Sequence, residues 1–298
     1  MIELVSGGGA LYLDLMKRCL TDSVYTDDPL ANFVPYRPKP QMATWKRVAV
    51  DALQHLLQRY RLRIVEPYAI PWIKDFSALS PEEATRIRET GSAWPARAHT
   101  MIGLRRLDRL QDCVETVIRD NVPGDLIETG VWRGGACIFM RAILKAHYDT
   151  ARTVWVADSF AGLPPPDPGT YPADAGDAHH ELADYLAISR EQVEANFMRY
   201  GLLDQQVKFL KGWFKDTLPT APIDRLAVIR MDGDMYESTI QVLEALYDKL
   251  SPGGFVIIDD YDLEPCAEAI HDFRKGRSIT DTLDLSDGRA GAFWRKSS

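Results

Sequence analysis

The spacing of apolar and polar positions divides the chain into a helical opening, an irregular middle and a long regular remainder. Residues 10 to 20, "ALYLDLMKRCL", set Leu11, Leu13, Leu15, Met16 and Leu20 on a helical stripe ahead of the breaker-rich "TDSVYTDDPLANFVPYRPKP". Between Met42 and Tyr60, apolar residues recur at Met42, Trp45, Ala49, Leu53, Leu56 and Tyr60, with Lys46, Arg47, Gln54 and Arg59 between them. That spacing predicts an amphipathic helix, which serves as a lid, a membrane-surface or dimer contact, or packs against the main domain; packing is the ordinary fate of such a face.

After residue 97 the rhythm changes. "AHTMIGLRRLDRLQDCVETVIRD" has helical spacing at Met101, Leu104, Leu107, Leu110 and Val114, and "VPGDLIETG" then turns into a short apolar run that reads as a strand. From there helix and strand candidates alternate: "DLIET", "GGACIFMRAILKAHY", "TVWVADS", "SREQVEANFMRYGL", "QVKFLKG", "LAVIRMD", "TIQVLEALYDKL", "GFVIIDD" and "EAIHDFRK". Near-continuously apolar strands in a βαβα order imply a doubly wound, mostly parallel sheet covered on both faces, an α/β fold. At the end, "TDTLDLS" and "GAFWRKS" flank the turn-forming "SDGRA", which predicts a C-terminal antiparallel hairpin at the sheet edge. The division expected is residues 1–96 as a helical N-terminal arm and extension with lid or dimer contacts, and residues 97–298 as the α/β domain.

Composition narrows the partners. The 298 residues are 46% hydrophobic and 26% charged, enough for one large domain with an extension. A net charge of -8 and a pI near 5.3 argue against a nucleic-acid surface, which needs concentrated Lys and Arg, so a small-molecule partner is expected. Cys19, Cys113, Cys137 and Cys266 lie far apart without CxxC spacing and read as reduced thiols. Neither a leader pattern nor a run of about 18 apolar residues stands out, so no membrane partner and a cytoplasmic location are expected.

In an open α/β sheet, ligands bind outside the carboxyl ends of the strands, so acidic residues there are suspects. The first strand ends in Glu128, followed by Thr129 and by Gly130, Gly134 and Gly135 of "TGVWRGGA", which would let backbone approach a ligand closely; a tight strand-to-helix turn with no ligand fits equally well. The spacing is not GxGxxG, and an acid at its start would repel a pyrophosphate, which disfavours a nicotinamide dinucleotide and suits a neutral or cationic adenosine-type cofactor. Asp158 closes the next strand where nucleotide-binding folds place a ribose-binding carboxylate; alone, it or Ser159 reads as a cap.

"MDGDMYEST" and "IIDDYD" place Asp232, and Asp259 with Asp260, at the ends of two strands. Adjacent strands lie about 5 Å apart, so these acids should converge, and converging oxygen ligands suit a hard divalent cation, Mg2+ first. The alternative is that one carboxylate pairs with Arg230 or caps a helix while another stays protonated. Asp234, two residues beyond Asp232, suits a general base drawing a proton from an acceptor hydroxyl, or an ordinary loop or cap aspartate. No histidine has metal-motif spacing; His99 and the His179/His180 pair stay as candidates for substrate contact.

Several long segments in order, "HTMIGLRRLDRLQDCVETVIRDNVPGDLIETGVWRGGACIFMRAIL", "TVWVADSFAGLP", "NFMRYGLLDQQVKFLKGWFKDTLPTAP", "LAVIRMDGDMYEST" and "LSPGGFVIIDDY", resemble the macrocin O-methyltransferase (TylF/MycF) family. The likeness runs from about residue 97 to the C-terminus, with "LYLDLMKRCL" similar to the family's N-terminal helix. It implies a class I methyltransferase, Rossmann-like fold that uses S-adenosylmethionine and Mg2+ to methylate sugar hydroxyls of antibiotics. It further implies cofactor contacts at Met101, Glu128, Thr129, Gly130, Asp158, Ser159 and Trp213, metal ligands at Asp232, Asp259 and Asp260, and catalysis by Asp234 with Asp232. The division of labour between Asp232 and Asp234 stays open.

Residues 28–96 are longer than the family's usual segment, and the loop Pro164–Leu186 differs, so acceptor choice is the open variable. Tyr25, Trp94 and Tyr236 are candidates for the acceptor pocket. The expected acceptor is a deoxysugar on a glycosylated natural product, with a phenol, catechol or polyketide hydroxyl next, or a non-catalytic adenosine-binding protein of the same fold. A homodimer or higher homo-oligomer is expected.

Overall fold

The computed structural model describes residues 7–24, 33–34, 80–91, 94–95, 97–285 and 291–297. The expected helix at 42 to 60, Tyr25, the side chain of Trp94 and the whole "SDGRA" turn lie outside them. Helix α1 (Gly7–Leu20) buries Leu13, Met16 and Leu20, while Leu11 and Leu15 remain 73% and 52% exposed. The true stripe is thus the 3.6-residue one through positions 13, 16 and 20; the alternate leucines fall on the other side of the turn.

Helix α2 (Pro81–Thr90) escaped the periodicity reading because it is mostly charged, yet its start was written in the chain. Ser80 and Glu83 form the reciprocal bonds of a capping box, with Ser80 N–H donating to Glu83 at 2.9 Å and Glu83 N–H donating to Ser80 Oγ at 3.2 Å, and Pro81 opens the helix. It packs on α3 (Gly103–Arg119), whose inward face carries Leu107, Leu110, Val114, Val117 and Ile118.

The expected alternation then follows: β1 (Asp125–Thr129), α4 (Gly135–Ala146), β2 (Val154–Asp158), α5 (Arg190–Arg199), β3 (Val207–Lys211), β4 (Leu226–Met231), α6 (Tyr236–Leu246), β5 (Leu250–Ile258), α7 (Glu264–Gly276) and β6 (Ala292–Arg295). The strands form one six-stranded sheet in the order β3-β2-β1-β4-β5-β6, parallel except for β6, which runs antiparallel to β5. The C-terminal hairpin is present with a minimal first arm: Asp284 meets Phe293 in a single antiparallel bridge. Residues on the two sides of each strand bury into opposite layers. Leu126, Val154, Val156 and Val228 pack with α1, α3, α4 and α5, while Ile127, Ala157, Ile229 and Val256 pack with α6, α7 and Trp294.

From β1 the chain winds outward through β2 and β3, then returns to lay β4 and β5 on the other side. The order reverses between β1 and β4, and a crevice opens at their carboxyl ends. No helix among the described residues is long and apolar enough to cross a membrane.

Candidate active site

The strand ends at this crevice are zipped one residue past the sheet. Gly130 N–H donates to Ala157 O, Asp232 N–H to Thr129 O and Asp259 N–H to Met231 O, each at 2.9 Å. Gly130 is the tightest point: its φ is +83°, and a Cβ built there would lie 1.7 Å from the carbonyl oxygen of Asp232. Only glycine lets the β1 and β4 ends approach this closely.

These ends line a cavity of about 780 Å³, a volume suited to a ligand of cofactor size. Its wall includes Met101, Glu128, Gly130, Asp158, Ser159 and Trp213. Thr129 does not reach it; its side chain is fully buried and its hydroxyl donates to Arg230 O at 3.4 Å. Asp158 accepts Val131 N–H at 2.8 Å and Phe160 N–H at 2.6 Å, so it shapes the β1 and β2 loops, and burial raises its pKa against those bonds.

Glu128 is more an anchor than an open contact. One oxygen is held by Arg230 and the other accepts the Cys137 thiol at 2.7 Å; burial, the largest effect, raises its pKa although Arg230 opposes this. Arg230, only 1% exposed, also reaches Asp232 Oδ2 at 3.0 Å and Asp259 Oδ1 at 2.6 Å. Burial alone would lower the Arg230 pKa, but Asp259, Glu128 and Asp232 outweigh it and push it upward. Arg106, from α3, grips the other Asp259 oxygen at 2.6 Å.

Asp232, Asp259 and Asp260 do converge, each offering an oxygen within 4.8 Å of the others. The competing expectation, pairing with Arg230, is also realised, so the arginine and the cluster coexist. Burial and then the neighbouring acids hold Asp232 and Asp260 well above the usual carboxylate range, with Arg230 opposing the rise at Asp232. The Asp232 side chain nonetheless keeps 31% exposure toward the cavity, so a cation can reach it. A donor set of three carboxylate oxygens with excess negative charge could hold a hard divalent ion.

Asp234 lines the same cavity in the left-handed region, φ +58°, its N–H donating to Asp260 Oδ2 at 3.1 Å. Burial pushes its pKa up to about 6, opposed by His179 and helped by Asp177 and Asp259.

The histidine candidates separate. His99 bonds the Tyr200 hydroxyl through Nδ1 at 2.7 Å, and burial with Arg199 and Arg133 lowers it to about 4, a neutral packing residue. His179 lines the cavity, its Nδ1 paired with Asp177 at 2.6 Å. Tyr236 turns away: its ring meets Tyr171 with centroids 6.0 Å apart and its hydroxyl donates to Asp272 at 3.1 Å. Sequence reading missed Arg106, Glu237, Gln241 and Asp262 in the wall. In the sequence Arg106 reads like any other charged residue of an amphipathic helix, and nothing local marks that its side chain, 13% exposed, turns inward to Asp259.

The macrocin-O-methyltransferase (TylF) family model matches residues 9–296. The chain belongs to the macrocin O-methyltransferase family. It is 51% identical over 285 residues to the 8-demethyl-8-(2,3-dimethoxy-alpha-L-rhamnosyl)-tetracenomycin-C 4'-O-methyltransferase of Streptomyces olivaceus, covering 96% of this chain and 92% of that protein. It is 56% identical over 212 residues to the mycinamicin III 3''-O-methyltransferase of Micromonospora griseorubida, covering 70% and 83%. The solved structure of the O-methyltransferase NovP superposes with a TM-score of 0.77 at 45% identity, over 97% of this chain and 100% of that one.

This macrocin O-methyltransferase family member is therefore an O-methyltransferase whose methyl donor is S-adenosylmethionine, as the family implies. The family match begins within α1, so it includes the N-terminal helix as well as the sheet.

Proposed function

We propose that this chain methylates a hydroxyl of a deoxysugar on a glycosylated natural product, in antibiotic or related biosynthesis, with Mg2+ held by Asp232, Asp259 and Asp260. The observation that carries the reading is the convergence of those three carboxylates within 4.8 Å, in one cavity with Asp234. The donor chemistry fits: all ligands are oxygens, and Asp232 and Asp260 are raised by burial and by neighbouring carboxylates, which a divalent cation would relieve. Arginine contacts on Asp259 do not exclude it, since each carboxylate oxygen has a second lone pair.

Bound there, Mg2+ would polarise the acceptor hydroxyl and fix its orientation. The chain's own residues do the rest. Asp234 accepts the hydroxyl proton; with a pKa of about 6 it is more basic than an ordinary aspartate yet mostly ionised near neutrality. Arg230 and Arg106 hold Asp259 in place, and Glu128 anchors Arg230. Met101, Asp158, Ser159 and Trp213, with the bare backbone of Gly130, form the wall for the methyl donor. The alignment of donor and acceptor in one cavity is itself a large part of the rate.

The sugar acceptor rests on the relatives: one is named for the 4' position of a rhamnosyl tetracenomycin and another for the 3'' position of mycinamicin III. Residues 97–298 as catalytic domain, residues 1–96 as a helical arm and extension with lid or dimer contacts, and a homo-oligomeric assembly belong to the same proposal. The test is incubation with S-adenosylmethionine, Mg2+ and a panel of glycosides, phenols and catechols. Methyl transfer to glycosides that a chelator abolishes is expected. Turnover that persists in chelator removes the metal, transfer confined to phenols or catechols removes the sugar, and cofactor binding without any transfer leaves a non-catalytic adenosine-binding protein.

A further inference from the structure

Helix α6 begins two residues after Asp234, and its own N-cap residue, Met235, provides no side-chain bond to the first turn. The first N–H groups of a helix need partners and favour an anion. They find one 62 residues back in the chain: Asp174 accepts Tyr236 N–H at 2.7 Å and Glu237 N–H at 3.0 Å. Asp174 is 1% exposed and lies in a one-turn 3-10 helix, Pro172–Asp174, that packs on α6 and α7.

The loop around Asp174 is bonded into one piece. On one side, Tyr171 N–H donates to Asp167 O at 2.8 Å and Asp174 N–H to Tyr171 O at 3.1 Å. On the other, Asp177 N–H donates to Asp174 O at 3.0 Å, and the Asp177 carboxylate holds both His179 N–H and His179 Nδ1. Asp167 and His179, the two ends of this run, line the cavity that contains Asp232 and Asp234. Asp174 is thus the fixed point between two wall segments and the strand end that carries the proposed base.

We propose that Asp174 is a positioning residue for methyl transfer: it pins the 167–179 loop to the start of α6, so that the acceptor wall and the Asp232–Met235 segment keep one geometry. The proposal rests on the methyl-transfer reading above and adds a role for a residue that does not line the cavity. Because the pin acts on the acceptor side, its loss should spare the donor, whose wall is built from the β1, β2 and β3 ends together with Met101.

Two variants, Asp174→Ala and Asp174→Asn, test it by hydrogen exchange and by kinetics. In Asp174→Ala, amide exchange should speed up across 167–182 and at Tyr236 and Glu237, with β1 and β2 unchanged. S-adenosylmethionine affinity should stay within about twofold of wild type, while acceptor kcat/KM falls by roughly 10- to 100-fold, the usual cost of small misplacement. Asp174→Asn keeps a carbonyl acceptor for one N–H and should recover part of the loss. Unchanged exchange in the loop, cofactor affinity falling as far as acceptor kcat/KM, or an asparagine variant no better than alanine would each overturn the proposal. The exchange measurement needs no acceptor, so absence of turnover in the wild type counts against the methyl-transfer reading and leaves the pin separately decided.

Discussion

Replacing Arg230 by methionine, which is close in volume, removes the charge at the centre of the site. The three carboxylates it serves are not left alike. Asp259 keeps Arg106 at 2.6 Å, and Asp232 has a side chain 31% exposed to the cavity, where water or a cation can reach it. Glu128, whose side chain is 3% exposed, keeps the Cys137 thiol and the Cys137 backbone N–H as donors but has no second cation among its bonds here. The cost therefore concentrates on one stranded buried carboxylate, about 3–5 kcal/mol for breaking a buried pair from one side. It should not be tripled for three partners.

Urea unfolding at pH 7 should show that loss, and Tm should fall on the order of 10 °C. Adding Glu128→Gln to Arg230→Met should restore a large part, because the uncompensated charge goes with it. The pH dependence has a definite sign. Glu128 is already raised from 4.5 by burial with Arg230 opposing, so without the arginine its folded pKa rises further above the unfolded one. Such an acid favours the folded state when protonated, so the variant should approach wild type below about pH 4.5 and lose ground as pH rises. A deficit under about 1 kcal/mol at pH 7, or a double variant no more stable than the single, would refute the view of Arg230 as the hub.

Asp260→Asn should raise the Mg2+ concentration for half-maximal methyl transfer by at least roughly tenfold, the low end for disturbing even an outer partner of a metal site; unchanged metal dependence would take Asp260 out of the ligand set, and calorimetry should find donor affinity retained. Gly130→Ala forces a Cβ to 1.7 Å from Asp232 O at a φ of +83° and should cost about 3 kcal/mol or more in thermal or urea unfolding. His179 should titrate by NMR above its ordinary 6.5, because the bond to Asp177 raises it more than burial lowers it. Its folded value being raised, that pairing stabilises the loop below about pH 6.5 and fades as pH climbs through the folded pKa, and Asp177→Asn should move the titration back down.

The chain's periodicities carried most of the sheet. "DLIET" is β1 residue for residue, and "LAVIRM" is β4. β5 begins earlier than its apolar run, at Leu250, because its register with β4 shifts between Leu226 and Val228 and takes up Ser251–Gly254. Periodicity cannot show such a shift, and Pro252 and Gly253 argue locally for a turn. Helix α2 was legible by another route, the Ser80–Glu83 capping box, since its apolar stripe is too thin to find.

By itself the sequence determined that strands alternate with helices, that glycine follows β1 and that aspartates end β4 and β5; each follows from which residues suit a buried strand, a positive φ or a strand's exposed end. Tertiary structure alone decided which charges neutralise one another. Glu128 meets Arg230 across 102 residues, Arg106 meets Asp259 across 153 and Asp174 caps α6 across 62. Local pattern is set by neighbours a few residues apart, whereas these contacts exist only once strand order, register and helix packing bring distant segments within hydrogen-bond range, where low dielectric makes each pairing count.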